Sequence, residues 1–162
     1  MLQRLLPRQV DNSFRGLRPA LWLLGLLIAV KLAMSLNSIV NTAAVAGGAD
    51  GIPLESFGPA AERQVLLLFA LMSLGHLVLA LIALTTLIRY RALVPFIYLV
   101  LLTEHLVRRL IAQSYAAPGA QSTAIAWYLN YGLLTLLMIG FALSLIPARS
   151  KSDPHSDSEE GR

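Results

Sequence analysis

Four stretches of about twenty predominantly apolar residues, at 20–42, 65–88, 92–113 and 124–146, constrain this chain more than any other feature. An α-helix rises ~1.5 Å per residue, so each stretch is long enough to cross the ~30 Å of hydrocarbon in a bilayer. The second holds one histidine and no charge, and the fourth holds no charge at all. The first carries Lys31, and the third carries Glu104, Arg108 and Arg109. Together they occupy more than half of the 162 residues. The two tails and three short connections that remain leave no room for a soluble domain.

The runs are continuous and rich in Leu and Ala, which are good helix formers. They lack the period-two alternation of a membrane β-barrel. Composition agrees: 56% of residues are hydrophobic and 14% charged, whereas a soluble domain is roughly a quarter charged. A disordered chain is excluded on the same ground, and the lack of cysteine excludes a disulfide-rich secreted module. Pro53, Pro59, Pro118 and Pro147 fall in connections or just past a span, and Pro95 falls in a first turn, where its missing N–H costs little. The first stretch reads as a retained span rather than a cleaved leader. Its apolar run ends at Val30, well before the small-residue pattern Ala44-Val45-Ala46, and Lys31, Asn37 and Asn41 lie between. We expect an all-α, four-helix transmembrane bundle running up-down-up-down. Residues 1–19 form an N-terminal tail, 20–146 the membrane domain and 147–162 a disordered tail.

Charge sets the expected orientation, because Lys and Arg gather on the cytoplasmic side of short loops. Arg4, Arg8, Arg15 and Arg18 precede the first span, Arg89 and Arg91 join the second to the third, and Arg149 and Lys151 follow the fourth. The first connection instead has Asp50, Glu55 and Glu62 against Arg63, and the third, residues 114–123, has no charge. Both tails are therefore expected inside, in a bacterial-type inner membrane. The formal net charge of +4 is mostly topology, and no basic stripe for nucleic acid lies outside the spans. Leu2, Leu5 and Leu6 among Arg4 and Arg8 can form a short interfacial turn. Gly47, Gly48, Gly51, Pro53, Gly58 and Pro59 make the first connection a loop of about twenty residues, read as an exposed connector or as a lid over the bundle mouth, with Asp50-Gly51 as a turn signal. Trp22, Tyr90, Trp127 and Tyr128 read as interfacial aromatics, and Gly75, Gly132 and Gly140 as close helix contacts.

An ionisable group inside a span marks a candidate site, since translocon scales put its cost at about +2.5 to +3.5 kcal/mol. Lys31 lies 11 residues beyond Ala20, His76 lies 12 before Ile88, and Glu104 and His105 lie 12 and 13 beyond Ala92. With alternating spans these four share one level, about 16–20 Å from the inner end. Thr135, 11 before Ile146, is expected to join them. Glu104 with Arg108, and His105 with Arg109, are i,i+4 pairs on one polar face. Lys31, Ser35, Ser38 and Thr42 form a stripe that Asn37 and Asn41 widen, and Tyr128, Tyr131 and Thr135 form another beside Asn130. The inner half is thus expected to be dry and the outer half polar inside. We take Lys31, Asn37, His76, Glu104, His105, Arg108, Asn130 and Tyr131 as lining a cavity open to the outside.

Two readings of these groups stand together. In one they close a network that only holds helices together, with Lys31 on Glu104 and Glu104 on Arg108. In the other the cavity takes a small anionic or amphiphilic ligand, and the chain is a non-enzymatic binding or accessory subunit, alone, as a homo-oligomer or with a partner membrane protein. Alternatives are a haem-bearing electron carrier with His76 and His105 as axial ligands, and a proton-coupled or lipid-modifying enzyme using Glu104 and His105. Zinc and copper patterns are absent from the sequence. Ser73, three residues before His76, is a poor match to a nucleophile–base pair without an orienting acid. The layout of four short-looped spans with both ends inside resembles small bacterial membrane families, DoxX-like proteins among them. The resemblance is one of layout, and no motif matches residue by residue.

Overall fold

The computed structural model describes residues 11–115 and 124–147. Among them the chain is all-helical, without strands. Four long helices dominate: α1, Arg18–Val40; α2, Pro59–Arg89; α3, Val94–Ser114; and α4, Ala124–Leu145. Three have a stretch long and apolar enough to cross a membrane: Arg18–Val40, Pro59–Arg89 and, within α4, Trp127–Leu145. The 21 residues of α3 match them in length but carry Glu104, Arg108 and Arg109. The chain is thus a helical protein of multi-pass membrane type. The expected interfacial turn around Leu2, Leu5 and Leu6, most of the third connection and the tail beyond residue 147 lie outside the described residues.

Helix ends follow local chemistry. None of α1, α2 or α3 has a side-chain N-cap; each has a proline in its first two positions, where φ is already helical and no N–H is wasted. The main departure from expectation is α2, which begins at Pro59 rather than near residue 65. Ala60, Ala61 and Glu62 extend it, and Glu62 in the first turn and Arg89 in the last complement the helix dipole. At 31 residues α2 is about 46 Å long, more than a bilayer core requires.

The connection after α1 is folded rather than extended. A turn at Thr42–Ala44 widens into a π-helical turn at Val45–Ala49. Gly51 then reverses the chain at φ 69°, the left-handed region that glycine enters without strain, so the Asp50-Gly51 turn is present. Ile52 N–H donates to Ala46 O, and Ala46 is fully buried.

Packing centres on α1, which lies against α2 and α4, while α3 lies against α4. Ala20, Leu24, Leu27 and Ile28 of α1 repeat at helical spacing and meet Val94, Ile97, Tyr98 and Leu101 of α3, with Ala83 of α2 and Leu137 of α4. This half of the core is dry. Its polar groups are closed locally: Thr86 Oγ1 donates to Ile82 O and Ser144 Oγ to Phe141 O. Tyr98, fully buried, donates its hydroxyl to Ala20 O at 2.6 Å. Leu17 N–H reaches Leu143 O, and Ala92 N–H reaches Asp11 O. The start of α1, the start of α3 and the end of α4 therefore gather at one end.

Of the three expected close-contact glycines, only Gly140 is one. A Cβ there would run into the Tyr98 ring, whereas Gly75 and Gly132 face open space. Large apolar side chains stand exposed along α2, including Leu67, Leu68, Leu71, Leu81 and Ile82, and lipid contact explains such a surface. Gly140→Ala is expected to lower thermal stability in detergent by about 1–3 kcal/mol through overpacking, and Gly75→Ala to leave it unchanged or raise it by up to about 1 kcal/mol. Equal effects would remove Tyr98 as the cause.

Candidate functional site

Above the dry layer the core turns polar around one carboxylate. Glu104 of α3 accepts from Lys31 Nζ of α1 at 3.0 Å through Oε2. Its Oε1 takes His76 Nε2 of α2 at 3.0 Å and Arg108 Nε of its own helix at 3.2 Å. Both pairs read from the sequence, Lys31 with Glu104 and Glu104 with Arg108, are present. Lys31 reaches this point because it continues the buried stripe of α1, and only 8% of it is exposed. Ser35, one turn on, is also buried.

His105, fully buried, sits on the α4 side of α3. Its Nδ1 is approached by Arg108 Nη2 at 3.5 Å, and the ring is hydrogen-bonded to the backbone of Asn130. The expected partner, Arg109, shares this face but contacts Tyr131 instead. Arg109 donates to the Tyr131 hydroxyl and lies over that ring at 4.0 Å, with Trp127 packed on its other neighbour side at 4.2 Å between ring centres. The helical rotation of 100° per residue separates the two arginines: Arg108 faces inward and Arg109 faces α4.

A cavity of about 160 Å3 adjoins the cluster. Its polar wall has Lys31, Ser35 and Ser38 from α1, Ser73 and His76 from α2, and His105, Arg108 and Asn130 from α3 and α4. Met34, Phe69, Met72 and Leu129 add apolar lining, and Asp50 of the folded connection, which is exposed, lies at its edge. Nearby protein nevertheless takes away part of this carboxylate's water and raises its pKa, while Arg108 pulls the other way.

Six of the eight residues expected in this cavity belong to it or to the ion cluster beside it. The other two are corrected. Asn37 is exposed and accepts from Asn41 Nδ2 at 2.8 Å; two positions past Ser35, it lies about 200° round the helix. Tyr131 belongs to the Arg109 contact instead. Thr135 does not join the polar level: it is exposed and donates to Tyr131 O. Tyr128 is likewise exposed, and Ser73 Oγ donates to Phe69 O at 2.9 Å rather than to His76. Sequence reasoning missed Asp50 as part of the site. The signal was its position beside Gly51, which turns the chain back over the helices.

The donor set does not fit a haem. His76 Nε2 is committed to Glu104, and His105 is held between Arg108 and Asn130, so both imidazoles already have protein partners where free axial nitrogens would be needed. Among the described residues no three His, Cys, Asp or Glu converge as metal ligands. Glu104 already accepts three bonds, which suits it as an anchor more than as a base that must reach a substrate. Glu104→Gln is expected to lower stability by about 3–5 kcal/mol, the cost of breaking a buried pair and stranding Lys31. An unchanged melting curve in detergent would show that the cluster does not hold the helices. No protein family, curated protein or solved structure matches this chain.

Proposed function

We propose that the chain is a small integral protein of a bacterial-type inner membrane, with four spans in up-down-up-down order and both ends inside. It acts as a non-enzymatic binding or accessory subunit whose polar cavity opens to the outer side. Taking α3 as the fourth span is supported by the destinations of its charges, since Glu104 and Arg108 are paired within the protein and Arg109 is covered by Tyr131. Alternation is supported by the meeting of Leu17 with Leu143 and of Tyr98 with Ala20. Orientation rests on Arg15, Arg18, Arg89 and Arg91 at that end, and Asp50, Glu55 and Glu62 on the opposite connection.

The observation that carries the binding reading is the charge balance beside the cavity. Lys31 and Arg108 face one interior carboxylate, Glu104, so the ion cluster itself has one cation more than it has anions, and among the described residues the only further carboxylate in the cavity lining is Asp50 of the exposed connection. A net charge in this partly dehydrated interior is costly, and an anion in the adjoining cavity would relieve it. A cavity of this size is below the roughly 300–1,000 Å3 of drug-sized sites, so it suits a small anionic group.

Two experiments test this. The chain contains no cysteine, so single cysteines at Glu55 and Arg91 report orientation in intact cells. A membrane-impermeant maleimide is expected to label the first and spare the second, and the reverse would invert the topology. Native mass spectrometry of the gently purified protein, with an absorbance spectrum, is expected to show a bound anion-sized or amphiphile-sized mass and no Soret band. A bare chain would reduce the cluster to a helix-holding network.

A further inference from the structure

We propose that the ligand of this cavity is a single-chain amphiphile with a carboxylate head, and that Asp50 holds the head's place until it arrives. The inference rests on the anion reading above and names its ligand class.

The cavity lining is rich in donors. Lys31 gives one ammonium hydrogen to Glu104, and Arg108 gives its Nε–H to the same residue. Their remaining hydrogens, with the Ser35 and Ser38 hydroxyls nearby, suit an acceptor-only group such as a carboxylate. The chain itself brings one carboxylate to this place. Asp50 lines the edge and lies within Coulombic reach of Arg108. It is a replaceable counter-charge, being exposed, outside ion-pair distance of Arg108 and mounted beside the left-handed turn at Gly51.

The cavity lining also has apolar residues that reach the protein surface. Met34 of α1 and Met72 of α2 remain 43% and 42% exposed, and Leu129 of α4 is 46% exposed. Methionine is flexible and adapts to an acyl chain. The cavity holds a head group but not a long tail, so the tail must leave along these side chains into the surrounding lipid. A free small anion would use the donors and ignore this exit, and a neutral amphiphile would use the exit and ignore the donors.

The test measures binding to the full chain in phosphatidylcholine nanodiscs, with dodecanoate as the probe and acetate, inorganic phosphate and dodecanol as comparisons. Dodecanoate is expected to bind at least about tenfold more tightly than any of the three, as loss of either the charged contact or the apolar contact costs 1.4 kcal/mol or more. Arg108→Gln is expected to weaken it about tenfold or more. Asp50→Asn, on the exposed connection and outside the ion cluster, is expected to tighten it several-fold by removing the competing carboxylate. A diazirine-bearing fatty acid is expected to label the peptides containing Met34 or Met72. Acetate or phosphate binding as well as dodecanoate would overturn the amphiphile assignment and leave the anion site standing. Equal binding of dodecanol would overturn the role of the acid head. Displacement of dodecanoate by phosphatidylglycerol would reassign the site to a phospholipid head group, and weaker binding by Asp50→Asn would remove Asp50 as a competitor. If none of the probes binds, this assignment and the anion reading fall together.

Discussion

The interior of this protein is organised by one carboxylate. Glu104 gathers Lys31 from α1, His76 from α2 and Arg108 from its own helix within 3.2 Å. Each partner alone would be expensive in an apolar interior, and so would the carboxylate. Together they can be tolerated only if the three helices keep one relative height and rotation, because a shift of one residue turns a side chain by 100°. The cluster therefore fixes register in a way that the Leu- and Ala-rich surfaces around it do not. Such surfaces slide with little change in energy, and the hydrophobic effect provides no drive between helices surrounded by lipid.

The rest of the packing is consistent with that register. One turn and a half below Glu104 on α3, Tyr98 crosses to the backbone of Ala20 and lies against Gly140. It ties α1, α3 and α4 together in the dry half, as Glu104 ties α1, α2 and α3 in the polar half. Between them Leu24, Leu27, Ile28 and Leu101 contribute volume but no direction. The two halves also end differently. The dry half is sealed by Leu17 against Leu143 and by the segment around Gly16, whose Cβ position is filled by Ser144. The polar half keeps a cavity under a folded connection.

Much of the site was legible before the fold was known, for a simple reason. Ionisable residues are rare in spans, so Lys31, His76, Glu104, His105 and Arg108 stand out against an apolar background. Counting from the span ends then placed the first four at one height, and the pairs Lys31–Glu104 and Glu104–Arg108 followed from charge. Uncharged polar residues gave no such signal. Asn37, Thr135 and Tyr131 lie at suitable heights, yet Asn37 and Thr135 close bonds on their own helices and Tyr131 covers Arg109. Asn, Thr and Tyr can satisfy themselves locally or against one neighbour, so their height says little about their direction.

The sequence by itself determined the all-helical, membrane-compatible class, the proline-marked helix starts and the charges that must find partners. These depend on local quantities: hydropathy over about twenty residues, proline position and formal charge. Tertiary structure decided which histidine meets Glu104, which arginine faces inward, which glycine is a contact and that Asp50 reaches the cavity edge. Those depend on helix rotation and on the path of the connection around Gly51, and they are fixed by packing between segments far apart in the chain.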